Sequence, residues 1–353
     1  MKKRVKSDDA TPDPVAGAAK TINLALQGGG AHGAFTWGVL DRLLEEDAIA
    51  FEGISATSAG AANATVMAYG MTIGGREGAR QALHDFWWRI SQAAVFSPLQ
   101  PSLYDRLARN YGLENSPAHL MFDILSRVLS PYQLNPLNYN PLRNILEEVV
   151  DFERLNQGSA VKLFLSATNV RTGKVRIFTG REITADAVLA SACLPFMSQA
   201  IEIDGEAYWD GGYMGNPAIF PLIYECQSPD VVVVHIDPIG RPDVPTTARD
   251  IMNRVNEISF NSSLMREMRA IAFVTRLIED GGLKDPRVKR MRIHAIEAEE
   301  VMQKLSAASK LNADWEFLLY LHAIGRKHAA AWLSGDFEGV GLRSTVNIRE
   351  QYL

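Results

Sequence analysis

Apolar positions in the first seventy residues follow two alternating patterns. Short apolar runs at 22–26 and 49–55 are typical of strands. Residues 34–46 carry apolar side chains at helical spacing, and 57–71 is a run of small apolar residues suited to a buried helix. The order strand, helix, strand, helix predicts an α/β fold with a mainly parallel sheet.

The same alternation returns after residue 160. Strands are predicted at 161–170 and 174–179, and a helix is predicted at 184–192. The run 231–236 is almost entirely apolar, as expected for an interior strand of a parallel sheet. These segments therefore extend the sheet that begins near the start of the chain.

Changes in composition divide the chain into parts. Residues 1–20 are mostly polar and are predicted to be a disordered tail. The segment 76–160 is rich in proline, asparagine and aromatic residues and is predicted to be a cap inserted into the main domain, 21–240. The remainder, 241–353, is predicted to be a mostly helical extension with one strand at 291–296.

Composition narrows the class of protein without naming one. The 353 residues are 47% hydrophobic, which is usual for a globular protein, and the net charge of −5 argues against nucleic-acid binding. Cys193 and Cys226 are too few for a disulfide framework and fit a reducing compartment, so a cytoplasmic protein is expected. No apolar stretch is long enough to span a bilayer, and no residues have metal-ligand spacing, so neither a metal nor another cofactor is expected.

A glycine-rich segment, Gly28-Gly29-Gly30-Ala31-His32-Gly33, lies between the first predicted strand and helix. We call it the glycine loop. Such a loop can hold a dinucleotide pyrophosphate at a helix N-terminus, or it can donate N–H groups to the oxyanion of a hydrolase. A dinucleotide site also needs an acidic residue about twenty positions later, at the end of the second strand. Glu52 is near that distance but precedes the end of the strand, so both interpretations and a plain turn stay open.

A serine occurs at the next predicted strand-to-helix corner, in Ala56-Thr57-Ser58-Ala59-Gly60. A nucleophile elbow requires small neighbours because strand and helix crowd each other at this turn. Its usual pattern is GxSxG, and Ala56 takes the place of the first glycine. The alternative is that Ser58 only caps the following helix.

The third group is Asp210-Gly211-Gly212, which follows Tyr208-Trp209. Asp-Gly is most often a turn. The aspartate could also be a general base at the end of a strand, with glycines that allow the backbone to approach the serine corner closely.

Together the three groups resemble the motifs of the patatin-like phospholipases, which are lipid acyl hydrolases with a Ser–Asp dyad. The block Ala190–Phe196 and the pair Asn216-Pro217 are also similar to the family, and the resemblance covers 22–226. It implies a three-layer sandwich around the parallel sheet, with 21–240 as the catalytic domain. It also implies a lipid or acyl-ester substrate.

By position, the resemblance implies that Ser58 is the nucleophile and Asp210 the general base. The N–H groups of Gly28, Gly29 and Gly30 would form the oxyanion hole. The remaining motif positions support these groups, and they are His32, Gly33, Ala56, Gly60, Gly211 and Gly212. His32 departs from the family pattern, which has Arg or Lys there, so the positive charge at this position is lost at neutral pH.

Other interpretations remain at this level. A Ser–His–Asp triad is compatible with the chain order if His235 is the base. The chain could also be a nucleotide-binding protein that uses the glycine loop, or a catalytically weak protein that binds lipid surfaces. The oligomeric state is left open.

Contact with a membrane is a separate question. An apolar stretch in the predicted cap could form a lid or an interfacial surface, or it could be core packing; it comprises Phe86, Trp87, Trp88, Phe96, Leu99, Leu103 and Tyr104. A basic run could meet anionic headgroups or be a solvated face; it comprises Lys284, Arg287, Lys289, Arg290 and Arg292. Peripheral binding is therefore one expectation, and it depends on where these side chains lie.

Overall fold

The computed structural model describes residues 19–95, 111–113, 116–283, 285 and 288–353, without the side chains of residues 119, 122, 123, 127 and 249. Within these ranges eight strands form one mixed sheet. The strands are β1 Lys20–Leu26, β2 Ile49–Ala56, β3 Lys162–Asn169, β4 Val175–Thr179, β5 Ile201–Ile203, β6 Glu206–Asp210, β7 Asp230–Val234 and β8 Arg292–Ile296. Apart from Lys20, which begins β1, and residue 19, the predicted tail lies outside the described residues.

The strand order is β5-β6-β3-β2-β1-β7-β8, and β4 pairs with β3. The pairs β2–β3, β1–β2, β1–β7 and β7–β8 are parallel. The pairs that involve β4, β5 or β6 are antiparallel. The predicted parallel sheet is confirmed, and the apolar run 231–236 supplies an interior strand, β7.

The described residues also form the following α-helices. They are α1 Gly33–Leu44, α2 Ala59–Ala94, α3 Pro117–Val128, α4 Pro131–Leu134, α5 Pro141–Val149, α6 Phe152–Gln157, α7 Ala185–Ser191, α8 Phe220–Glu225, α9 Ala248–Glu279, α10 Glu299–Met302, α11 Trp315–Ser334 and α12 Ile348–Tyr352. Short 3-10 turns occur at Gly30–His32, Gly180–Glu182, Gly211–Tyr213, Ala308–Leu311 and Asp336–Gly339.

Alternation along β7 explains the three layers. Val232 and Val234 belong to a core cluster with residues of α1, α2 and α11. Val231 and Val233 point to the opposite face and belong to a cluster with residues of α8, α9 and α12. Because successive side chains of a strand point to opposite faces, a strand that is apolar throughout must be covered on both sides. The expected three-layer sandwich is confirmed.

The predicted helix 57–71 forms the first part of α2, which continues to Ala94 after a break in helical geometry at Gly74 and Gly75. Beyond the break, Phe86 and Trp87 are buried in the main core, so these two side chains are core packing. Trp88 is partly exposed. The other members of the apolar stretch, Phe96, Leu99, Leu103 and Tyr104, lie outside the described residues. The bounds of the cap remain a prediction.

The predicted C-terminal extension takes part in the core. Its strand β8 pairs with β7, and α11 packs closely against α1. Gly38 of α1 faces the backbone of α11 at His322, and Gly325 of α11 faces the backbone of α1 at Phe35, so neither glycine has room for a side chain. Across the described segments, no helix is both long and apolar enough to cross a bilayer.

Candidate active site

Ser58 occupies the corner between β2 and α2, with φ 55° and ψ −123°. This left-handed region is costly for a residue with a side chain, and the strained turn is typical of a nucleophile elbow. The Ser58 N–H donates to Ser191 Oγ at 2.9 Å, which helps to hold the turn. The Ser58 hydroxyl makes no capping hydrogen bond to α2, so the plain helix-cap interpretation is not supported.

Close packing at the corner accounts for its small residues. A side chain at Gly28 would begin 2.5 Å from Ser58 Cβ, and one at Gly60 would begin 2.5 Å from the Leu26 carbonyl oxygen. Ala56 lies within β2, in extended backbone where an alanine fits without strain. The departure from GxSxG at this position therefore has no structural cost.

Asp210 ends β6, and its backbone is fixed on both sides. Its N–H donates to the Cys193 carbonyl at 2.8 Å, and its carbonyl accepts the Thr168 hydroxyl at 2.8 Å. In the side chain, Oδ1 accepts the Gly212 N–H at 2.7 Å. Gly212 has no room for a side chain because Phe260 of α9 lies against it.

The Asp210 carboxyl is completely buried. Burial raises its pKa to about 7, against the opposing effects of hydrogen bonds from the Gly212 N–H and the Ser58 hydroxyl. The contact between the Asp210 carboxyl and the Ser58 hydroxyl is loose, because Oδ2 makes no well-formed hydrogen bond to any described residue. Loose contacts are common in active sites without substrate, and they tighten when a substrate binds.

The three glycines expected to form an oxyanion hole differ in their hydrogen bonding. The Gly28 N–H already donates to Asn216 Oδ1 at 2.7 Å. Gly29 and Gly30 line the cavity beside Ser58, and their N–H groups have no hydrogen-bond partner within the described ranges. These two N–H groups are therefore available to an oxyanion. Gly28 instead allows the backbone of the loop to lie close to Ser58, because it has no side chain.

His32, which stands in place of the expected Arg or Lys, is buried and does not reach the cavity. Its Nε2 is 2.7 Å from Ser309 Oγ. Burial, and then the positive charges of Lys310 and Arg241, lower its pKa well below the usual range. The glycine loop therefore carries a neutral imidazole at this position.

Ser58 and Asp210 open into a cavity of about 310 Å³. Its surface is mainly apolar, with Leu194, Phe196 and Phe260 among its lining side chains. The walls come from distant parts of the chain, because Phe260 belongs to α9 and Ser126 to α3. The cavity can hold an apolar chain next to a hydroxyl, a buried carboxyl and free N–H groups.

Four side chains that help to build this site do not stand out in the sequence. Ser191 and Asn216 lie in segments that are similar to the family, but the similarity gives no role to either side chain. Asp237 and Lys310 line the cavity. Asp237 directly follows the buried strand segment 231–236, and a carboxylate at the carboxyl end of a parallel strand is a usable signal. Lys310 has no comparable signal in the sequence.

The alternative catalytic histidine lies elsewhere. His235 Nε2 is 2.6 Å from the Tyr352 hydroxyl, and burial lowers its pKa to about 4. Within the described part of the chain, His235 makes no hydrogen bond to Ser58 or Asp210 and does not line their cavity. The geometry therefore gives no support to a Ser–His–Asp triad.

The acidic residue considered for a dinucleotide site is also occupied. Glu52 accepts the N–H groups of Gln227 and Ser228 at 2.7 and 2.8 Å. Gln227 and Ser228 precede β7, whereas the glycine loop follows β1. Because β1 and β7 are parallel, Glu52 and the loop lie at opposite ends of the strands. A ribose next to the glycine loop would not meet it.

The described part of the basic run contributes no side chain to this cavity. Arg290 pairs with Glu279, and Arg292 pairs with Asp230 at 2.8 Å. Lys289 donates to backbone carbonyls, whereas Lys284 and Arg287 lie outside the described residues. Among the residues that were placed, no group of three or more His, Cys, Asp or Glu side chains could hold a metal ion.

Comparison with known proteins identifies the family of the chain. The family model for patatin-like phospholipases matches residues 24–223, which is more than half of the chain. No curated protein matches. Among solved structures, VipD from Legionella pneumophila is similar with a TM-score of 0.35 and 15% identity, over 86% of this chain and 67% of that one, a likeness too weak to bear on function. The chain belongs to the patatin-like phospholipase family.

Proposed function

We propose that the protein hydrolyses carboxylic esters of phospholipids or related acyl lipids, with Ser58 as nucleophile and Asp210 as general base. One observation carries this proposal: Ser58, Asp210, Gly29 and Gly30 line a single, mainly apolar cavity. Membership of a phospholipase family supports a lipid ester as the substrate.

In the first half of the reaction, the Asp210 carboxylate accepts the Ser58 proton while Ser58 Oγ attacks the ester carbonyl carbon. The N–H groups of Gly29 and Gly30 donate to the resulting oxyanion. Collapse of the tetrahedral intermediate breaks the ester bond, and the departing alcohol takes the proton from Asp210. The product on the enzyme is an acyl-Ser58 ester.

In the second half, a water molecule gives a proton to Asp210 and attacks the acyl-Ser58 carbonyl. The fatty acid leaves, and the proton returns to Ser58. An aspartate with its ordinary pKa near 4 would be a poor base for this step. The raised pKa of Asp210, about 7, supports its role as a base because proton transfer is most efficient when the pKa is near the working pH.

The rim of the cavity supports a substrate that comes from a lipid phase. Phe196 and Met197 line the cavity and are also exposed, Phe196 to 70%. Helix α3, which contributes Ser126 to the cavity, exposes Leu120, Met121 and Ile124. Peripheral contact with a membrane therefore belongs to this proposal, with these side chains in place of the buried Phe86 and Trp87.

Two assays test the proposed dyad. The first is hydrolysis of p-nitrophenyl butyrate, and the second is covalent labelling by a fluorophosphonate, with the modified peptide identified by mass spectrometry. In Ser58→Ala and Asp210→Asn we expect kcat/KM to fall by at least about a hundredfold. The label should be found on Ser58. Ser334→Ala, which changes a serine at the end of α11 outside the cavity, should behave like wild type.

The alternatives predict different results. Turnover by Ser58→Ala at the wild-type rate would contradict the nucleophile assignment. Tight, stoichiometric binding of NAD(P) would favour the nucleotide-binding interpretation. Binding to phosphatidylcholine vesicles, without turnover or labelling of Ser58, would favour a catalytically weak lipid-binding protein.

A further inference from the structure

The 3-10 turn Ala308–Leu311, which belongs to the C-terminal extension, packs directly on the glycine loop. Ser309 Oγ is hydrogen-bonded to His32 at 2.7 Å. The Lys310 carbonyl fills the space that a side chain at Gly30 would need. Gly30 also has a left-handed φ of 58°, so both its backbone conformation and its contact with Lys310 require a residue without a side chain.

The side chain of Lys310 is connected to Gly28, at the other end of the same loop, through the side chains of Asp237 and Asn216. Its Nζ forms an ion pair with Asp237, whose side chain is completely buried. The second oxygen of Asp237 accepts Asn216 Nδ2 at 3.3 Å, and Asn216 Oδ1 accepts the Gly28 N–H. The row is therefore Lys310, Asp237, Asn216 and Gly28.

The negative charge of Asp237 fixes which atom of the Asn216 amide faces which neighbour. A carboxylate can only accept hydrogen bonds, so the amide of Asn216 must turn its Nδ2 towards Asp237. Its Oδ1 then faces the Gly28 N–H and holds the first glycine of the loop. A buried carboxylate is costly unless it is paired, and Lys310 supplies the pairing charge.

Lys310 also brings a positive charge to the cavity beside the glycine loop. Of the described residues that line the cavity, Lys310 is the cation, and the acidic residues are Asp210, Asp237 and Glu257. His32 is neutral and buried. The cation beside the glycine loop thus comes from a segment more than two hundred residues away in sequence.

We propose that Lys310 is a positioning residue for the Ser58 reaction, because with Asp237 and Asn216 it holds the glycine loop so that the Gly29 and Gly30 N–H groups face the cavity. This inference rests on the proposed function. It assigns a role in the reaction to a part of the chain in which the sequence names no chemistry.

The groups that face Asp210 allow an additional readout. Apart from the hydrogen bonds already described, the nearby titratable groups are Cys193, Tyr213, Asp237 and Lys310. The charge of Asp237 raises the pKa of Asp210, and the charge of Lys310 lowers it to a smaller extent. Loss of Asp237 should therefore lower the pKa of Asp210, and further loss of Lys310 should partly restore it.

The test compares Lys310→Met, Lys310→Arg, Asp237→Asn and the double variant Lys310→Met/Asp237→Asn. Methionine keeps most of the aliphatic length of lysine, and arginine keeps the charge. Lys304→Met, on the exposed surface nearby, is the matched control. The readouts are the rate of fluorophosphonate labelling and kcat and KM for p-nitrophenyl butyrate, normalised to the fraction of Ser58 that can be labelled at completion.

We expect Lys310→Met to lower kcat by about 10- to 100-fold with KM changed less than about threefold, because a misplaced loop loses stabilisation of the transition state. Lys310→Arg should retain most of the activity. In the Asp237→Asn background, the further loss of Lys310 should cost less than about threefold, because both residues act through one row. The acidic limb of the pH profile should lie lowest in Asp237→Asn, higher in the double variant, higher again in wild type and highest in Lys310→Met.

Contrary outcomes separate this inference from the proposed function. If Ser58→Ala retained the wild-type rate, both proposals would be overturned. If Ser58→Ala were inactive but Lys310→Met had wild-type kinetics, only the role of Lys310 would be overturned. The role of Lys310 would also be overturned by additive losses in the double variant, since Lys310 and Asp237 would then act independently and not through one row.

Discussion

Two buried aspartates, Asp210 in the candidate active site and Asp41 at the interface of α1 and α11, have opposite surroundings. Asp41 accepts Arg80 Nε at 2.7 Å, is paired with Arg326 and lies 3.3 Å from His322 Nε2. Asp210 has no ion-pair partner among the described residues, and its closest polar partners are neutral. Both side chains are largely removed from water, but only one of them is neutralised by cations.

The pKa values of the two carboxyls move in opposite directions. Burial raises the pKa of Asp210, and the hydrogen bonds of its neutral neighbours only partly oppose this. Burial would also raise the pKa of Asp41, but hydrogen bonds and charges from His322, Arg80 and Arg326 outweigh burial and lower it. Burial alone therefore does not decide the pKa of a carboxyl; the pKa is raised where burial is not offset by a paired cation.

The largest expected contrast is in activity. Asp210→Asn should lower kcat/KM for p-nitrophenyl butyrate by about a thousandfold, since the amide cannot accept the Ser58 proton. Asp41→Asn should remain within about threefold of wild type at a temperature where it is folded, because Asp41 does not line the cavity. A similar loss of turnover per labelled Ser58 in both variants would break the comparison.

A second contrast concerns stability, and its sign should be opposite at the two sites. Asp210→Asn should increase the free energy of unfolding at pH 7 by about 1–4 kcal/mol, because it removes a carboxyl whose ionisation is opposed by burial. Asp41→Asn should decrease it by about 2 kcal/mol, because it leaves Arg80 and Arg326 without a partly buried partner. Urea unfolding at pH 7 measures both changes, and a shift of the same sign in both variants would contradict this view.

The smallest expected effect is the dependence of these two changes in unfolding free energy on pH. The unfolded pKa of an aspartate is about 4. The pKa of Asp210 in the folded protein is raised to about 7. The increase in unfolding free energy caused by Asp210→Asn should therefore grow as the pH rises from about 4 to 7. The folded pKa of Asp41 is lowered, so its stabilisation is present above about pH 4 and is lost as pH falls further. Urea unfolding from pH 3 to 8 would show whether the two windows are distinct.

Much of the fold could be predicted because it depends on local patterns. Burial on both faces makes β7 apolar at every position from 231 to 234, and one buried face gives α1 its helical spacing. The motif around Ser58 could be predicted for a related reason. The strained turn and its close contacts with Gly28 and Gly60 admit only small residues, so the geometry of the turn restricts the residue types at neighbouring positions.

The roles of the individual glycines could not be predicted in the same way. Gly28, Gly29 and Gly30 are identical in sequence, but the Gly28 N–H is taken by Asn216 and the other two are free among the described residues. That difference depends on a side chain almost two hundred positions away. The same holds for Phe86 and Trp87, whose apolar character fits both a lid and the core.

Local patterns of residues are sufficient to predict the α/β alternation, the apolar strands and the positions of the glycine loop, Ser58 and Asp210, because each depends on residues next to it in the chain. Three further features are visible in the folded chain alone: Asp210 is buried with no cation paired to it, His32 is turned away from the cavity, and Lys310 lies beside the loop. Burial and charge pairing are set by contacts between distant segments. No local pattern of residues encodes those contacts.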